Sequence, residues 1–325
     1  MKRILLTLLT IFCITISNAQ ILKCRVIGHV LPSSSDEFHC IYFDHSGLMW
    51  VGSSSGLLSY DGYNIHTYRS AAASPGIFPN NSIMSITEDH HNCLWIGTRN
   101  GLVKMNLQTG VCKTYQLPEA EQHIIYTLFT SKDGTIWIGT DGGLSYYKPQ
   151  TDSFYTYDWS NTDVVETDHK RHKIQRWYSV KSIIEDDNNH IYVGTWNSGL
   201  YRFRRGSNTF CHYPTINSEK KAYSLYLDRQ KRLWIGTWGR GILMMDNPTD
   251  FNNTRTYSYN NGSDKFSTIY KIAEDPVTNA LWACSREGIS ILHLNNLSKG
   301  FTNYSSTSEP KSRTLGFNAD MITDK

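Results

Sequence analysis

Beyond residue 20, no stretch of this 325-residue chain approaches 18 consecutive apolar residues, so its body holds no candidate membrane-spanning helix. Neither sign of charge is in excess. The net charge is +3, and +1 without Lys2 and Arg3, which gives no electrostatic case for nucleic acid or an anionic membrane as partner. Cysteines are few and widely spaced: apart from Cys13 they are Cys24, Cys40, Cys93, Cys112, Cys211 and Cys284, with no C-x-x-C for zinc or thiol exchange. They read as small buried core residues, and no disulfide connectivity follows from the spacing. Catalytic signatures are missing too, with no G-x-S-x-G, no H-E-x-x-H and no phosphate-binding glycine loop. What is present is an apolar fraction of 39% and 41 aromatic residues, a composition that excludes a disordered chain and favours β-structure.

Residues 1–19 read as an export signal. Lys2 and Arg3 precede an apolar run over 4–16, and Ser17-Asn18-Ala19 puts small residues at the −3 and −1 positions of a cut before Gln20. The expected mature chain, residues 20–325, is therefore placed outside the cytoplasm.

A short block recurs six times: Met49-Trp50-Val51-Gly52-Ser53, Leu94-Trp95-Ile96-Gly97-Thr98, Ile136-Trp137-Ile138-Gly139-Thr140, Ile191-Tyr192-Val193-Gly194-Thr195, Leu233-Trp234-Ile235-Gly236-Thr237 and the degenerate Leu281-Trp282-Ala283-Cys284-Ser285. The intervals between its aromatics are 45, 42, 55, 42 and 48 residues. Each copy continues with Gly-Leu or Gly-Ile and ends on a tyrosine: Tyr68, Tyr115, Tyr157, Tyr213, Tyr257 or Tyr304. Asp44, Asp89, Asp186 and Asp228 stand six residues before the aromatic, with Ser131 there in the third copy and Asp275 displaced by one in the sixth.

Each unit reads as four short strands joined by tight turns. One such antiparallel sheet cannot bury both faces, and a period in the forties fits radial stacking as propeller blades. The repeats span approximately 39–68, 82–115, 124–157, 180–213, 222–257 and 268–304, and 317–325 matches the first strand of a further unit. The expected fold is all-β: a β-propeller of seven-bladed type, six complete four-stranded blades plus the first strand of a seventh. Residues 20–30 would add an outer strand to the last blade. A ring of six with 317–325 as a spare strand is the alternative. The repeated Trp reads as a wedge between blades, worth roughly 1.5–3 kcal/mol of core burial each.

The turns between second and third strands vary while the strands repeat, and one end of a propeller is commonly its ligand face. Copies four and five carry an extra residue there and place Trp196 and Trp238 at equivalent points, beside Asn197 and Arg240; copy two has Arg99-Asn100. A ring that stacks on a pyranose, next to groups that bond hydroxyls, suits sugar binding, although such rings also pack on neighbouring loops. The 55-residue interval holds an insertion with Trp159, Trp177 and the charged run 166–173, expected to fold over the channel mouth as an aromatic wall. His169 and His172 have metal-ligand spacing only if helical, and the run reads as a solvated loop; no metal, other cofactor or catalytic residue is assigned. Glu185, Asp186 and Asp187 occupy turn positions found in other copies and read as structural.

The pattern D-x-x-G-x-L-W-I-G-T-x-x-G-L resembles the two-component regulator propeller repeat. It is similar in particular to the periplasmic sensor region of Bacteroidetes hybrid two-component regulators of polysaccharide utilisation. Residues 56–63 (GLLSYDGY) and 78–83 (FPNNSI) resemble that family's first repeat and inter-repeat segment. The resemblance implies an extracytoplasmic, periplasmic ligand sensor, with an oligosaccharide as ligand. It implies a parent anchored in the inner membrane that adds a second propeller, a β-sandwich, a kinase and receivers, and through which a homodimer could form. Because those parts are not in the sequence, the chain is expected to be a fragment or truncated reading frame, with no kinase or nucleic-acid activity of its own. Two alternatives stay open: a propeller-type polysaccharide lyase or hydrolase, and a protein-binding scaffold.

Overall fold

The computed structural model describes residues 36–70, 77–117, 124–158, 163–166, 171–173, 179–207, 209–213, 221–250, 255–259, 267–285 and 288–305. Blade one is β1 (Phe38–Phe43), β2 (Met49–Ser53), β3 (Gly56–Tyr60) and β4 (Ile65–Tyr68). Blade two is β5 (Ile83–Glu88), β6 (Cys93–Thr98), β7 (Gly101–Asn106) and β8 (Cys112–Tyr115). Blade three is β9 (Ile125–Thr130), β10 (Ile136–Thr140), β11 (Leu144–Lys148) and β12 (Ser153–Thr156). The insertion contributes β13 (Asp163–Glu166) and β14 (Arg171–Lys173). Blade four follows with β15 (Val180–Glu185), β16 (His190–Thr195), β17 (Gly199–Arg204) and β18 (Thr209–His212). Blade five is β19 (Ala222–Leu227), β20 (Leu233–Thr237), β21 (Ile242–Met245) and β22 (Thr256–Tyr259). Blade six is β23 (Ile269–Asp275), β24 (Ala280–Ser285), β25 (Gly288–His293) and β26 (Thr302–Ser305).

Each blade is an antiparallel meander from inner to outer strand. The expectation of a seven-bladed propeller is corrected: the described residues form six blades. A blade exists only where an inner strand finds a second strand to pair with, and the described residues carry six such pairs; residues 317–325, on which the seventh rested, and residues 20–30 lie outside the described residues. The described strands of the insertion lie at the outer edge of blade four, where β13 pairs in parallel with β18 and extends that sheet to six strands; Trp159 and Trp177, on which the expected wall over the channel mouth rested, lie outside the described residues.

The repeated block has a reason for each of its residues. Its strand is the most buried in the blade, with every residue of β6, β10 and β20 inside, so it reads as a continuous apolar run. The aromatic fills the junction with the next blade: Trp95 packs with Leu128, Ile136 and Tyr147, and Trp234 with Ile269, Ile272 and Leu281. The aspartate six residues earlier accepts its indole N–H, at 2.9 Å for Asp44–Trp50 and Asp89–Trp95 and 2.7 Å for Asp228–Trp234. The glycine lets the next blade approach, since a Cβ on Gly97 or Gly236 would lie 2.5 Å or 2.7 Å from the Cγ2 of Ile125 or Ile269. The threonine hydroxyl closes the following turn, as in Thr98 Oγ1 to Gly101 O at 2.9 Å. Cys93, Cys112 and Cys211 are free thiols.

Candidate functional site

In all six blades the ladder between inner and second strand slips near the start of the inner strand. The slips fall between Phe38 and Cys40, Ile83 and Ser85, Ile125 and Thr127, Val180 and Ser182, Ala222 and Ser224, and Ile269 and Lys271. The bulged residues are therefore His39, Met84, Tyr126, Lys181, Tyr223 and Tyr270. A bulge re-aims its side chain, and here all six residues turn to one space. With the next residue of each strand, they line a cavity of about 130 Å³ bounded by all six inner strands. No carboxylate is among these lining residues. Ser85 and Ser182 are committed to the scaffold, their hydroxyls accepting Leu128 N and Leu225 N of the next blade at 2.9 Å and 3.1 Å.

A second tier sits on this ring, built by the turns between second and third strands. In blades two to four the first residue of the turn is pinned to the link entering its own blade: Arg99 N to Ser82 O at 3.1 Å, Asp141 N to Ile124 O at 3.3 Å, and Trp196 N to Ser179 O at 2.9 Å. Trp238 makes the corresponding bridge with Thr268. In blades four and five the extra residue is absorbed by positive φ at Asn197 (76°), Gly199 (79°), Gly239 (108°) and Gly241 (71°). These turns bring Trp196 and Trp238 edge to face, with ring centroids 4.9 Å apart. The two tiers meet in aromatic contact: Tyr223 lies 6.2 Å from Trp196 and 5.5 Å from Trp238, and Tyr270 5.9 Å from Trp238.

Charge at the mouth is mostly positive. Lys181 lies over the Tyr126 ring and 5.8 Å from the Trp196 ring, while Lys221 stands 4.9 Å from Trp196. Burial pushes the Lys181 amine down to about 7, opposed by Asp141. Burial raises Tyr126, with Asp141 adding to it, and pushes Tyr223 up to about 12. Burial followed by the Arg99 charge lowers His39, so Arg99 acts on the mouth from the blade-two side.

Trp196, Asn197 and Trp238 thus sit together as partly exposed residues of one rim, and Arg240 is an exposed neighbour in the blade-five turn. Arg99 and Asn100 occupy the turn of blade two, Asn100 N donating to Thr98 Oγ1 at 3.0 Å. Trp159 and Trp177 lie outside the described residues. Residues 171–173 form a strand, so His172 is not on the helix that the metal-ligand spacing would need. Among the described residues no group of three His, Cys, Asp or Glu could hold a metal ion.

The bulge ring went unnoticed in the sequence, although a signal for it exists there. Aligned on the repeat, its column runs His, Met, Tyr, Lys, Tyr, Tyr, while the residue before it is Phe, Ile, Ile, Val, Ala, Ile. A variable column beside an apolar one marks side chains that are not used to hold blades together.

The fold and this mouth define a β-propeller whose axial cavity opens beneath an aromatic rim. The model of the two component regulator propeller family matches residues 77–100, 120–142 and 217–239. Histidine kinase P4 of Formosa agariphila is 34% identical over 87 residues, which is 26% of this chain and 6% of that protein. The extracellular domain of a hybrid two component system from B. thetaiotaomicron has a similar structure, with TM-score 0.68 and 20% identity, over 90% of this chain and 37% of that one. Virginiamycin B lyase from Staphylococcus aureus matches with TM-score 0.64 and 13% identity, over 84% of this chain and 85% of its own. The chain therefore spans only a small part of the kinase and just over a third of the two-component structure. At these identities the structural likenesses establish the fold. No helix among the described residues is long and apolar enough to cross a membrane.

Proposed function

We propose that this chain is the extracytoplasmic, ligand-binding propeller of a hybrid two-component signalling protein, that its ligand is an oligosaccharide, and that the chain itself is not an enzyme. The observation that carries the reading is the two-tier mouth, where six bulges aim side chains into one cavity and two Trp rings form its rim. Such a surface offers stacking area and hydrogen-bonding groups together, as saccharide recognition requires. The regulator repeats, the kinase relative and the extracellular two-component neighbour support the signalling role. Residues 1–19 would export the chain to the periplasm, with the parent anchored in the inner membrane. Its partners would be the further propeller and sandwich domains of that parent, a second copy held through it, and no nucleic acid. Signalling then requires ligand affinity to differ between two arrangements of the parent, because a ligand that binds both equally shifts nothing.

A second reading, a propeller lyase, draws on the likeness of fold to virginiamycin B lyase over 84% of this chain and 85% of that one. Calorimetric titration with a panel of oligosaccharides, with chromatography of the mixture afterwards, separates the two. Binding with unchanged sugar supports the sensor, and Trp196→Ala or Trp238→Ala is expected to weaken it about ten- to a hundredfold. Product formation overturns the sensor reading, and unaltered affinity in both Trp variants overturns the site.

A further inference from the structure

The geometry points to an anionic saccharide: a carboxylate or sulfate of the ligand lies against the Lys181 amine while its sugar rings stack on Trp196 and Trp238. This rests on the oligosaccharide reading above and narrows its ligand class.

Lys181 is a bulged residue, so its backbone directs it into the cavity. It leans on Tyr126 from blade three on one side and faces Trp196 from its own blade on the other. Among the described residues it makes no ion pair and no hydrogen bond. The acid acting on it is Asp141 in the β10–β11 turn, whose carboxylate is already held by Ile124 N at 3.3 Å. Further cations surround the same mouth: Lys271 lines the cavity, Lys221 stands by Trp196, and Arg99 acts on His39 and Tyr126. Against them stand Asp141 and, acting on His39, Glu37, and the lining has no carboxylate.

Because the chain as a whole is close to neutral, this positive charge is a local concentration and not a share of a basic surface. Ammonium and guanidinium groups donate hydrogen bonds and accept none. A neutral sugar presents hydroxyls that both donate and accept, and adds no counter-charge beside the Lys181 amine. A uronate or a sulfate ester supplies acceptor oxygens and charge together. Desolvation already draws the Lys181 proton toward release near neutrality, and an anion seated on the amine would draw it back.

The test is calorimetric titration of the full chain at pH 6 with two matched pairs. One pair is a galacturonate tetrasaccharide and its methyl ester; the other is a sulfated galactan tetrasaccharide and its desulfated form. In at least one pair the charged member is expected to bind about ten- to a hundredfold more tightly. Which pair responds tells carboxylate from sulfate. The preference should shrink with added salt, disappear in Lys181→Met and persist in Lys181→Arg. Equal binding of charged and neutral members overturns this inference and leaves the oligosaccharide reading standing. Absence of binding by all four overturns both. A preference that persists in Lys181→Met removes Lys181 from the assignment; should that variant not fold, the matched pairs and the salt dependence decide alone.

Discussion

The aspartate six residues before four of the six repeated aromatics shows how much one side chain settles. Asp89 accepts hydrogen bonds from His91 N at 2.9 Å, Cys93 N at 3.0 Å and the Trp95 indole at 2.9 Å, so one carboxylate shapes the turn and fixes the wedge. Where the aspartate is missing the bond is missing: Trp137, opposite Ser131, and Trp282, with Asp275 displaced, have buried indole nitrogens without partners among the described residues. Asp89→Ala should therefore destabilise the protein by about 1–3 kcal/mol in urea unfolding, the cost of leaving buried donors unsatisfied. Ser131→Asp should do the reverse, by about 0.5–1.5 kcal/mol, once Asp133→Asn removes the carboxylate two residues on. No gain in that double variant would show that Trp137 does not need an acceptor. The aspartate column was legible in the sequence, and so was its role in the turn. Its bond to the indole was not, because a spacing of six does not show which way either side chain points.

Between neighbouring elements, close approach decides more than apolar content. A Cβ on Gly97 would come within 2.5 Å of Ile125 Cγ2 and 2.9 Å of Ile125 Cβ, branched atoms held at the start of β9. Gly97→Ala is expected to cost about 1–3 kcal/mol through overpacking. Adding Ile125→Ala should recover part of that loss, so the double variant falls short of the sum of the singles; strict additivity would mean that the two blades do not meet there. Strand order and the close-packing glycines could be read from the repeat, since the strand pattern is carried six times and the glycine five, with Cys284 in its place in the sixth copy. The bulges were not read, because a bulge adds a residue without a characteristic side chain and shows only as a variable column beside an apolar one once the six copies are aligned. Nor was the place of the insertion, whose strands of four and three residues are too short to show a period. What β13 finds is the exposed edge of β18, a row of backbone donors and acceptors that any extended segment can pair with.

Across the whole molecule, blades interact with their neighbours through recurring junctions, and buried charge couples those junctions to pH. Burial alone would raise Asp44 and Asp89, but hydrogen bonds outweigh it and hold both below the usual carboxylate value of 3.8, as they do Asp133. A carboxylate depressed in the folded state stabilises it above the unfolded pKa, and that contribution is lost as pH falls through the folded value. The acid limb should thus lie below about pH 4. Lys181 acts at the other end, with its pKa lowered from 10.5 to about 7 by burial. Below about 7 the amine is charged in both states and the folded protein carries its desolvation. Between about 7 and 10.5 the unfolded chain holds a proton that the folded one has released, so this group makes stability rise with pH. Lys181→Met should then unfold a few degrees above the parent chain at pH 6, with the difference closing toward pH 10, as measured by scanning calorimetry. The acid limb should be the same in both proteins, since Met at 181 leaves the three aspartates untouched. A difference that does not vary with pH would mean that Lys181 is fully solvated, and that the ring of bulged residues does not enclose it.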